Sequence, residues 1–186
     1  MIAFDIDGCV NGIKEDIIRF GKKFFSNIPV VFNEGGYYLR EIFQNAPEPT
    51  YEAFWQKYGY AIYTAPPLPD VRETIDYLKE HDMDACYITA RDKQRTFHDM
   101  TLAQITKVWT TSYGIALPVY YCKDKGNAVR SLGVTVMVED KPDTILKLQK
   151  MTDVLIFRHP YNAYIEGTFV TDWSEIMERL MYFQKK

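Results

Sequence analysis

Cysteine and histidine are scarce in this chain, with three residues of each type among 186. The cysteines are far apart and form no CxxC pair, so we expect neither a zinc site nor a framework of disulfides. An odd number of cysteines fits a reducing compartment. The cysteines are Cys9, Cys86 and Cys122.

Long apolar runs and an excess of one charge are also missing. No run approaches the roughly 20 apolar residues that span a bilayer, and the opening MIAFDIDG has none of the regions of a signal peptide. The formal net charge of -3 disfavours binding of nucleic acid by bulk electrostatics. We therefore expect a cytoplasmic protein without a membrane or polynucleotide partner, in which one or two cations could still hold a small anionic substrate.

Short apolar runs alternate with amphipathic helical stretches. Runs of this kind suit the buried strands of a parallel sheet that is covered on both faces. Helix starts are indicated by the pairs Asp70/Glu73 and Asp172/Glu175 and by Pro142. The alternation predicts an α/β fold built on a doubly wound parallel sheet. The predicted strands are 2–6, 85–89, 119–122, 134–138 and 154–157.

Residues 11–68 interrupt this alternation, and they are too many for a plain connection. They contain helical patterns at 13–25 and 51–60 and hold 13 of the 28 aromatic residues. We expect a small helical cap over the carboxyl edge of the sheet, where open α/β folds bind ligands. About two-thirds of the cap aromatics should pack within the cap itself. The predicted domains are a core of 1–10 and 69–186 and a cap of 11–68.

Two carboxylates lie at the end of the first predicted strand. Asp5 and Asp7 alternate along the chain and so can share a face, and Gly8 permits a tight turn after them. Such close carboxylates repel each other unless a cation or a shared proton is present, and Mg²⁺ is the natural oxygen-seeking partner. The alternative is a solvated Asp-Gly turn.

The second strand ends in Thr89-Ala90-Arg91. A hydroxyl followed by backbone N–H groups can hold phosphate oxygens, although a threonine before a helix is also an ordinary cap. Arg91 could form a fork with an anionic substrate or pair with a nearby acid.

The third and fourth strands are followed by charged residues as well. Lys123 or Lys125 could neutralise a phosphate, although most such lysines are merely solvated. Glu139 and Asp140 suit a metal site, and the alternative is that Asp140 caps the next helix. Because the carboxyl ends of parallel strands lie at one edge, the polar groups after all four strands should meet in space.

In this order the residues resemble the four motifs of the haloacid dehalogenase (HAD) superfamily of phosphotransferases. The resemblance covers essentially the whole Rossmann-like core and implies a three-layer α/β/α arrangement with a C1-type cap. The motifs are Asp5-Ile6-Asp7-Gly8, then Thr89, then Lys125 in preference to Lys123, and Glu139-Asp140.

Shorter motifs resemble the 5'(3')-deoxyribonucleotidase family. The chain departs from that family by having Glu-Asp in place of Asp-Asp in the fourth motif, and by having Cys9-Val10-Asn11 after the glycine. Glutamate keeps the charge that a metal needs, but the substrate is then less well defined. The shorter motifs are Trp55-Gln56-Lys57, Pro67-Leu68-Pro69, the residues 139–144, Pro160-Tyr161-Asn162 and the residues 172–176.

The resemblance implies a role for each motif residue. Asp5 would be the nucleophile that forms an aspartyl-phosphate, and Asp7 would be the general acid and base. The Asp7 side chain would have to be free for this, so that its backbone carbonyl would contact the metal. Mg²⁺ would lie between Asp5 and Asp140, with Glu139 acting through water. The remaining roles are phosphate binding by Thr89 and the Ala90 N–H, and charge neutralisation by Lys125.

The expected function is that of a Mg²⁺-dependent phosphomonoester hydrolase, specifically a 5'-nucleotidase for (deoxy)nucleoside monophosphates. Tyr37, Tyr38 and Trp55 are the candidates for stacking on a base. Alternatives are a phosphatase of another small phosphorylated metabolite, or of polynucleotide ends, which the acidity of the chain disfavours. A silent binding protein is a further alternative, disfavoured by the intact motifs. The aromatic cap surface could support a homodimer.

Overall fold

The structure is a computed structural model that describes residues 1–184. Strands and helices alternate along most of it, and none of its helices is both long and apolar enough to cross a membrane. The elements are β1 (Ile2–Phe4), α1 (Ile13–Phe24), β2 (Val31–Phe32), α2 (Leu39–Ile42), β3 (Phe43–Gln44), α3 (Glu48–Tyr63), α4 (Val71–Glu80), β4 (Ala85–Thr89), β5 (Thr96–Phe97), β6 (Met100–Thr101), α5 (Leu102–Ser112), β7 (Val119–Tyr121), α6 (Lys125–Leu132), β8 (Val136–Glu139), α7 (Pro142–Leu148), β9 (Asp153–Phe157), a 3₁₀ turn (Pro160–Asn162), β10 (Thr168–Val170) and α8 (Trp173–Gln184).

Six of the strands form one parallel sheet in the order β10-β9-β8-β1-β4-β7. β1 lies in the middle, with Phe4 opposite Tyr87 on one side and Val138 on the other. The chain winds outward from β1 to β7 and then returns to β8, so the winding reverses beside β1. In open α/β sheets the crevice at such a reversal binds ligands. The predicted doubly wound parallel sheet is confirmed.

Alternate residues of the strands face two separate apolar cores, because side chains along a strand point to opposite faces. Phe4 and Tyr87 belong to the core that holds α4, α5 and α8. Ala3 and Ile88 belong to the other core, which holds α6 and α7. The sheet is therefore covered on both faces, which explains why its strands read as continuous apolar runs in the sequence.

The segment between β1 and α4 has an apolar cluster of its own. Its centre is formed by Phe25, Phe43 and Phe54, with the ring centroids of Phe25 and Phe43 4.8 Å apart. Gly21 allows α1 to approach this cluster, because a Cβ atom there would lie 2.1 Å from Phe43. This separate cluster supports the predicted division into core and cap, which stays a prediction.

Some local predictions need correction. Asp70 does not cap α4 with its side chain, because its backbone is left-handed, with φ at 62°. The second predicted pair is present, since Asp172 Oδ1 accepts the Glu175 N–H at 3.0 Å. The sequence reading missed the sixth strand, β10, and the short hairpin of β5 and β6. Two or three residues are too few to produce a periodic pattern.

Candidate active site

The first acidic motif lies in a tight turn directly after β1. The N–H groups of Val10 and Asn11 both donate to the Ile6 carbonyl, at 2.9 and 3.2 Å, and so fold the chain back on itself. Gly8 has a left-handed φ of 88°, and a Cβ atom there would lie only 2.4 Å from Asp140 Oδ2. Glycine is therefore required at this position both by the turn and by the close approach of Asp140.

Lys125 joins the first and fourth motifs. Its Nζ lies 2.6 Å from Asp5 Oδ2 and 2.8 Å from Glu139 Oε2, and only 4% of the residue is exposed. Lys125 is the first residue of α6. Lys123 is exposed and lines the cavity without an ion pair among the described residues. The structure thus places Lys125, and not Lys123, on the predicted nucleophile.

Asp5, Glu139 and Asp140 form a buried acidic cluster in which one carboxylate oxygen of each lies within 4.8 Å of the others. Within residues 1–184 only Lys125 forms an ion pair with them, so that one cation faces three carboxyl groups. Burial, and then nearby carboxylates, raise the pKa of Asp5 to about 8 and that of Asp140 to about 7. Three carboxyl groups that offer hard oxygen ligands and have only one cation beside them fit Mg²⁺. Asp7 contributes no carboxylate to this cluster.

Asp140 is held by hydrogen bonds from Tyr161 and Asn162 that the sequence did not predict. The Tyr161 hydroxyl donates to Asp140 Oδ2, and Asn162 Nδ2 donates to the Asp140 backbone carbonyl at 2.8 Å. The His159 ring stacks on Tyr161 at 4.9 Å, and its Nε2 lies 2.8 Å from the Gly8 carbonyl oxygen. The only signal in the sequence was the late Pro160-Tyr161-Asn162 of the nucleotidase resemblance.

The alternative that Asp140 caps the following helix is wrong. The residue at the cap position of α7 is Lys141, whose side chain makes no capping hydrogen bond, and its backbone N–H donates to Glu139 Oε1 at 3.0 Å rather than to Asp140. Pro142 occupies the first turn, as predicted.

The second aspartate differs from the expectation that its side chain is free. Three hydrogen bonds from Arg91 hold the Asp7 carboxylate: Nε donates to Oδ1 at 3.1 Å and to Oδ2 at 3.0 Å, and Nη2 donates to Oδ1 at 2.6 Å. The Arg91 side chain has no exposure, whereas 22% of the Asp7 side chain is exposed. Burial alone would lower the pKa of Arg91, but the Asp7 carboxylate raises it above its usual value. Of the two predicted roles of Arg91, the structure therefore shows the pairing with a nearby acid.

The end of β4 lies beside these carboxylates. Thr89 is buried, and its Oγ1 accepts the Arg91 backbone N–H at 3.2 Å. Thr89 and the exposed Ala90 line the same cavity as Asp5, Asp7 and Lys125. This cavity has a volume of about 260 Å³.

The cap supplies the aromatic wall of the cavity, and all three predicted aromatics line it. Tyr37 packs edge-on against both Tyr38 and Tyr161, with centroids 4.9 and 5.1 Å apart. Trp55 is stacked on Tyr63 with the centroids 5.6 Å apart. Tyr38 is 48% exposed and so keeps much of its ring available.

Lys14, in the first turn of α1, is a lining residue that the sequence reading missed. Its ammonium donates to the Gly36 carbonyl and lies 4.7 Å from the centre of the Tyr161 ring. Burial lowers its pKa, and no carboxylate of residues 1–184 lies within 4.0 Å of it. Lys14 is thus a buried cation at the cap side of the cavity that forms no ion pair in the described part of the chain.

Comparisons with solved structures match this fold over nearly its full length. The chain aligns with a predicted phosphoglycolate phosphatase from Haemophilus somnus at 14% identity and a TM-score of 0.65, covering 97% of each chain. A HAD family hydrolase from Deinococcus radiodurans, with bound phosphate and sodium, aligns at 13% identity and a TM-score of 0.67, covering 97% of this chain and 94% of the other. A beta-phosphoglucomutase from Clostridium difficile aligns at 12% identity and a TM-score of 0.62, covering 100% and 98%.

No protein-family model and no curated protein sequence matches the chain. The sheet order, the insertion after β1 and the structural matches together define an α/β protein of the haloacid dehalogenase-like fold. Identities this low establish the fold alone, so the activity has to be argued from the site.

Proposed function

We propose that this protein is a phosphomonoester hydrolase that uses Asp5 as a nucleophile. The observation that carries the proposal is the convergence of four strand ends on one cavity, which brings Asp7, Thr89 and Lys125 together with the buried acidic cluster that contains Asp5. The structural matches to HAD family hydrolases support the same reaction class.

The chemistry proceeds in two displacements. An oxygen of Asp5 attacks phosphorus, the bond to the leaving oxygen breaks, and Asp7 gives its proton to that oxygen. Water then attacks the phosphorus of the aspartyl-phosphate, Asp7 takes up a proton of the water, and the bond to Asp5 breaks. Lys125 and the hydroxyl of Thr89 would offset charge on the phosphoryl oxygens. Mg²⁺ held by Asp5 and Asp140, with Glu139 behind them, would supply Lewis-acid stabilisation of the transferring group.

The first candidate substrate is a (deoxy)nucleoside monophosphate. Its support is the aromatic wall of Tyr37, Tyr38 and Trp55, because a base has flat faces that stack on aromatic rings. The 48% exposure of Tyr38 leaves a ring face for this contact.

A second candidate is a small phosphomonoester with a further anionic group. Lys14 favours it, because a buried ammonium without a carboxylate partner suits an anion on the substrate. Phosphoglycolate has a carboxylate of this kind, and one of the structural matches is described as a predicted phosphoglycolate phosphatase. Lys141 adds a second cation beside Tyr37 and Tyr38, 5.5 and 5.2 Å from their ring centres.

The test is release of phosphate from a panel of nucleotides, sugar phosphates and phosphoglycolate with Mg²⁺, by the wild-type chain and by Asp5→Asn. Hydrolysis by the wild type that Asp5→Asn abolishes would support the proposed reaction. Faster turnover of nucleotides than of all other esters would support the first substrate. Faster turnover of esters with a further anionic group, such as phosphoglycolate, would support the second. Hydrolysis that Asp5→Asn leaves intact would overturn the mechanism.

A further inference from the structure

The Arg91 guanidinium has partners of its own besides the Asp7 carboxylate. Its Nη1 donates to Thr106 Oγ1 at 2.9 Å, and the Thr106 hydroxyl donates in turn to the Leu102 carbonyl at 2.7 Å. The guanidinium carbon lies 5.1 Å from the centre of the Tyr63 ring and 5.6 Å from that of Trp109. The guanidinium is therefore held by hydrogen bonds to Asp7 and Thr106 and by contacts with two aromatic rings.

The two oxygens of Asp7 are not equivalent in this arrangement. Oδ1 accepts Nη2 at 2.6 Å and a share of the Nε hydrogen at 3.1 Å, whereas Oδ2 accepts only the Nε hydrogen, at 3.0 Å. The Asp7 side chain keeps 22% of its surface exposed and lines the cavity, while the Arg91 side chain has no exposure. The Arg91 hydrogen bonds thus orient the carboxylate and leave Oδ2 with fewer donors than Oδ1.

Neutralising a charge does not by itself require this geometry. A lysine ammonium could supply the charge, but only the planar, multiply donating guanidinium fixes the rotation of a carboxylate about its own axis. Proton transfer to a leaving oxygen depends on that rotation, because the oxygen with the proton must lie within hydrogen-bond distance of the leaving group.

We propose that Arg91 is a positioning residue that holds Asp7 so that Oδ2 carries the catalytic proton. In the first displacement the proton passes from Oδ2 to the leaving oxygen as the phosphorus–oxygen bond breaks. In the second it passes from the attacking water back to Oδ2 as the Asp5–phosphorus bond breaks. This inference rests on the proposed phosphatase function.

The experiment compares two esters that differ in their need for a proton. The first ester is p-nitrophenyl phosphate, whose p-nitrophenolate leaving group departs unprotonated. The second is an alkyl ester, a sugar or nucleoside phosphate, whose alkoxide needs a proton as it leaves. The wild type, Arg91→Lys and the exposed control Arg72→Lys are assayed with Mg²⁺. The readouts are the pre-steady-state burst of nitrophenol and the single-turnover rate on the best alkyl ester.

For Arg91→Lys we expect the single-turnover rate on the alkyl ester to fall about 100-fold, the lower end of the range for general acid catalysis. The rate of the nitrophenol burst should fall less than about 5-fold. Arg72→Lys should match the wild type on both esters. Equal losses on both esters, or no loss on either, would overturn the positioning role and leave the phosphatase function standing.

If Arg91→Lys does not fold, Thr106→Val removes one support of the guanidinium and keeps Arg91 itself. A loss confined to the alkyl ester would again support the inference, and a uniform or absent loss would overturn it. A wild-type chain that hydrolyses neither ester overturns the proposed function, and the inference with it.

Discussion

Two parts of the cavity differ in how their side chains are held. They are the carboxylates with Lys125, which we call the floor, and the aromatic wall of Tyr37, Tyr38 and Trp55. On the floor, Asp5, Asp7 and Asp140 are each fixed by side-chain partners from distant parts of the chain. On the wall, Tyr38 and Trp55 pack against aromatic rings and beside the cations Lys141 and Arg95, and they stay partly open to solvent. We therefore propose that the floor carries out the reaction and that the wall selects the substrate.

The largest effect is expected on the floor. Lys125→Met should lower kcat by about 10²- to 10³-fold, since it removes the cation that offsets charge beside the nucleophile. Lys123→Met is the matched control, because that lysine is exposed and forms no ion pair in the described residues, and it should stay within a few-fold of the wild type. Steady-state kinetics of both variants measure this. Equal effects of the two substitutions would contradict the assignment of Lys125.

A second substitution on the floor separates backbone strain from crowding. Gly8 and Gly133 both have a left-handed φ, at 88° and 62°, but only at Gly8 would a Cβ atom meet another group, Asp140. Gly133→Ala should cost about 1 kcal/mol of unfolding free energy, and Gly8→Ala about 3 kcal/mol or more. Denaturant unfolding measures both values. Gly8→Ala should also weaken Mg²⁺ binding, and equal costs with unchanged binding would show that the close approach is unimportant.

The wall should show a smaller effect that appears in KM. Trp55→Ala should raise KM for nucleotides about 10-fold by removing a stacking surface, with little change in kcat or in the KM of a phosphoester without a base. Tyr60→Ala is the control from the same helix, since Tyr60 is exposed and packs against His98 outside the cavity. A fall in kcat on every ester would place Trp55 in the catalytic floor instead.

The smallest effect is expected on stability as a function of pH. The pKa values of Asp5, about 8, and Asp140, about 7, lie above those of unfolded carboxyl groups near 4. Their stabilisation of the metal-free protein is therefore complete below about pH 4 and is lost as the pH rises toward 8. Since Mg²⁺ binds the ionised carboxylates, its gain in Tm should be larger near pH 8 than near pH 5.5, by about 3 °C. A gain that is independent of pH would contradict the acidic cluster as the metal site.

The core could be read from the sequence because two simple rules combine there. Continuous apolar runs indicate buried parallel strands, and parallel strands bring their ends to one edge, so the sequence predicts that Asp5, Thr89, Lys125 and Asp140 meet. The strand ends are indeed adjacent in the sheet.

The partners of these residues follow no such rule. Arg91 meets Asp7 across 84 positions of sequence, and Tyr161 meets Asp140 from a single 3₁₀ turn. Lys14 reaches the cavity only because α1 packs in the cap with its first turn toward the core. Such contacts depend on the orientation of individual side chains, which neither periodicity nor spacing encodes.

The central claim is that Asp5 becomes phosphorylated during turnover. It is tested most directly by quenching the wild-type protein in acid while it turns over substrate with Mg²⁺, and mapping the modification by mass spectrometry. The predicted result is one phosphoryl group on Asp5, labile to hydroxylamine and absent from Asp5→Asn. Sustained hydrolysis by the wild type with no phosphoryl group on Asp5, at an undiminished rate in Asp5→Asn, would contradict the account.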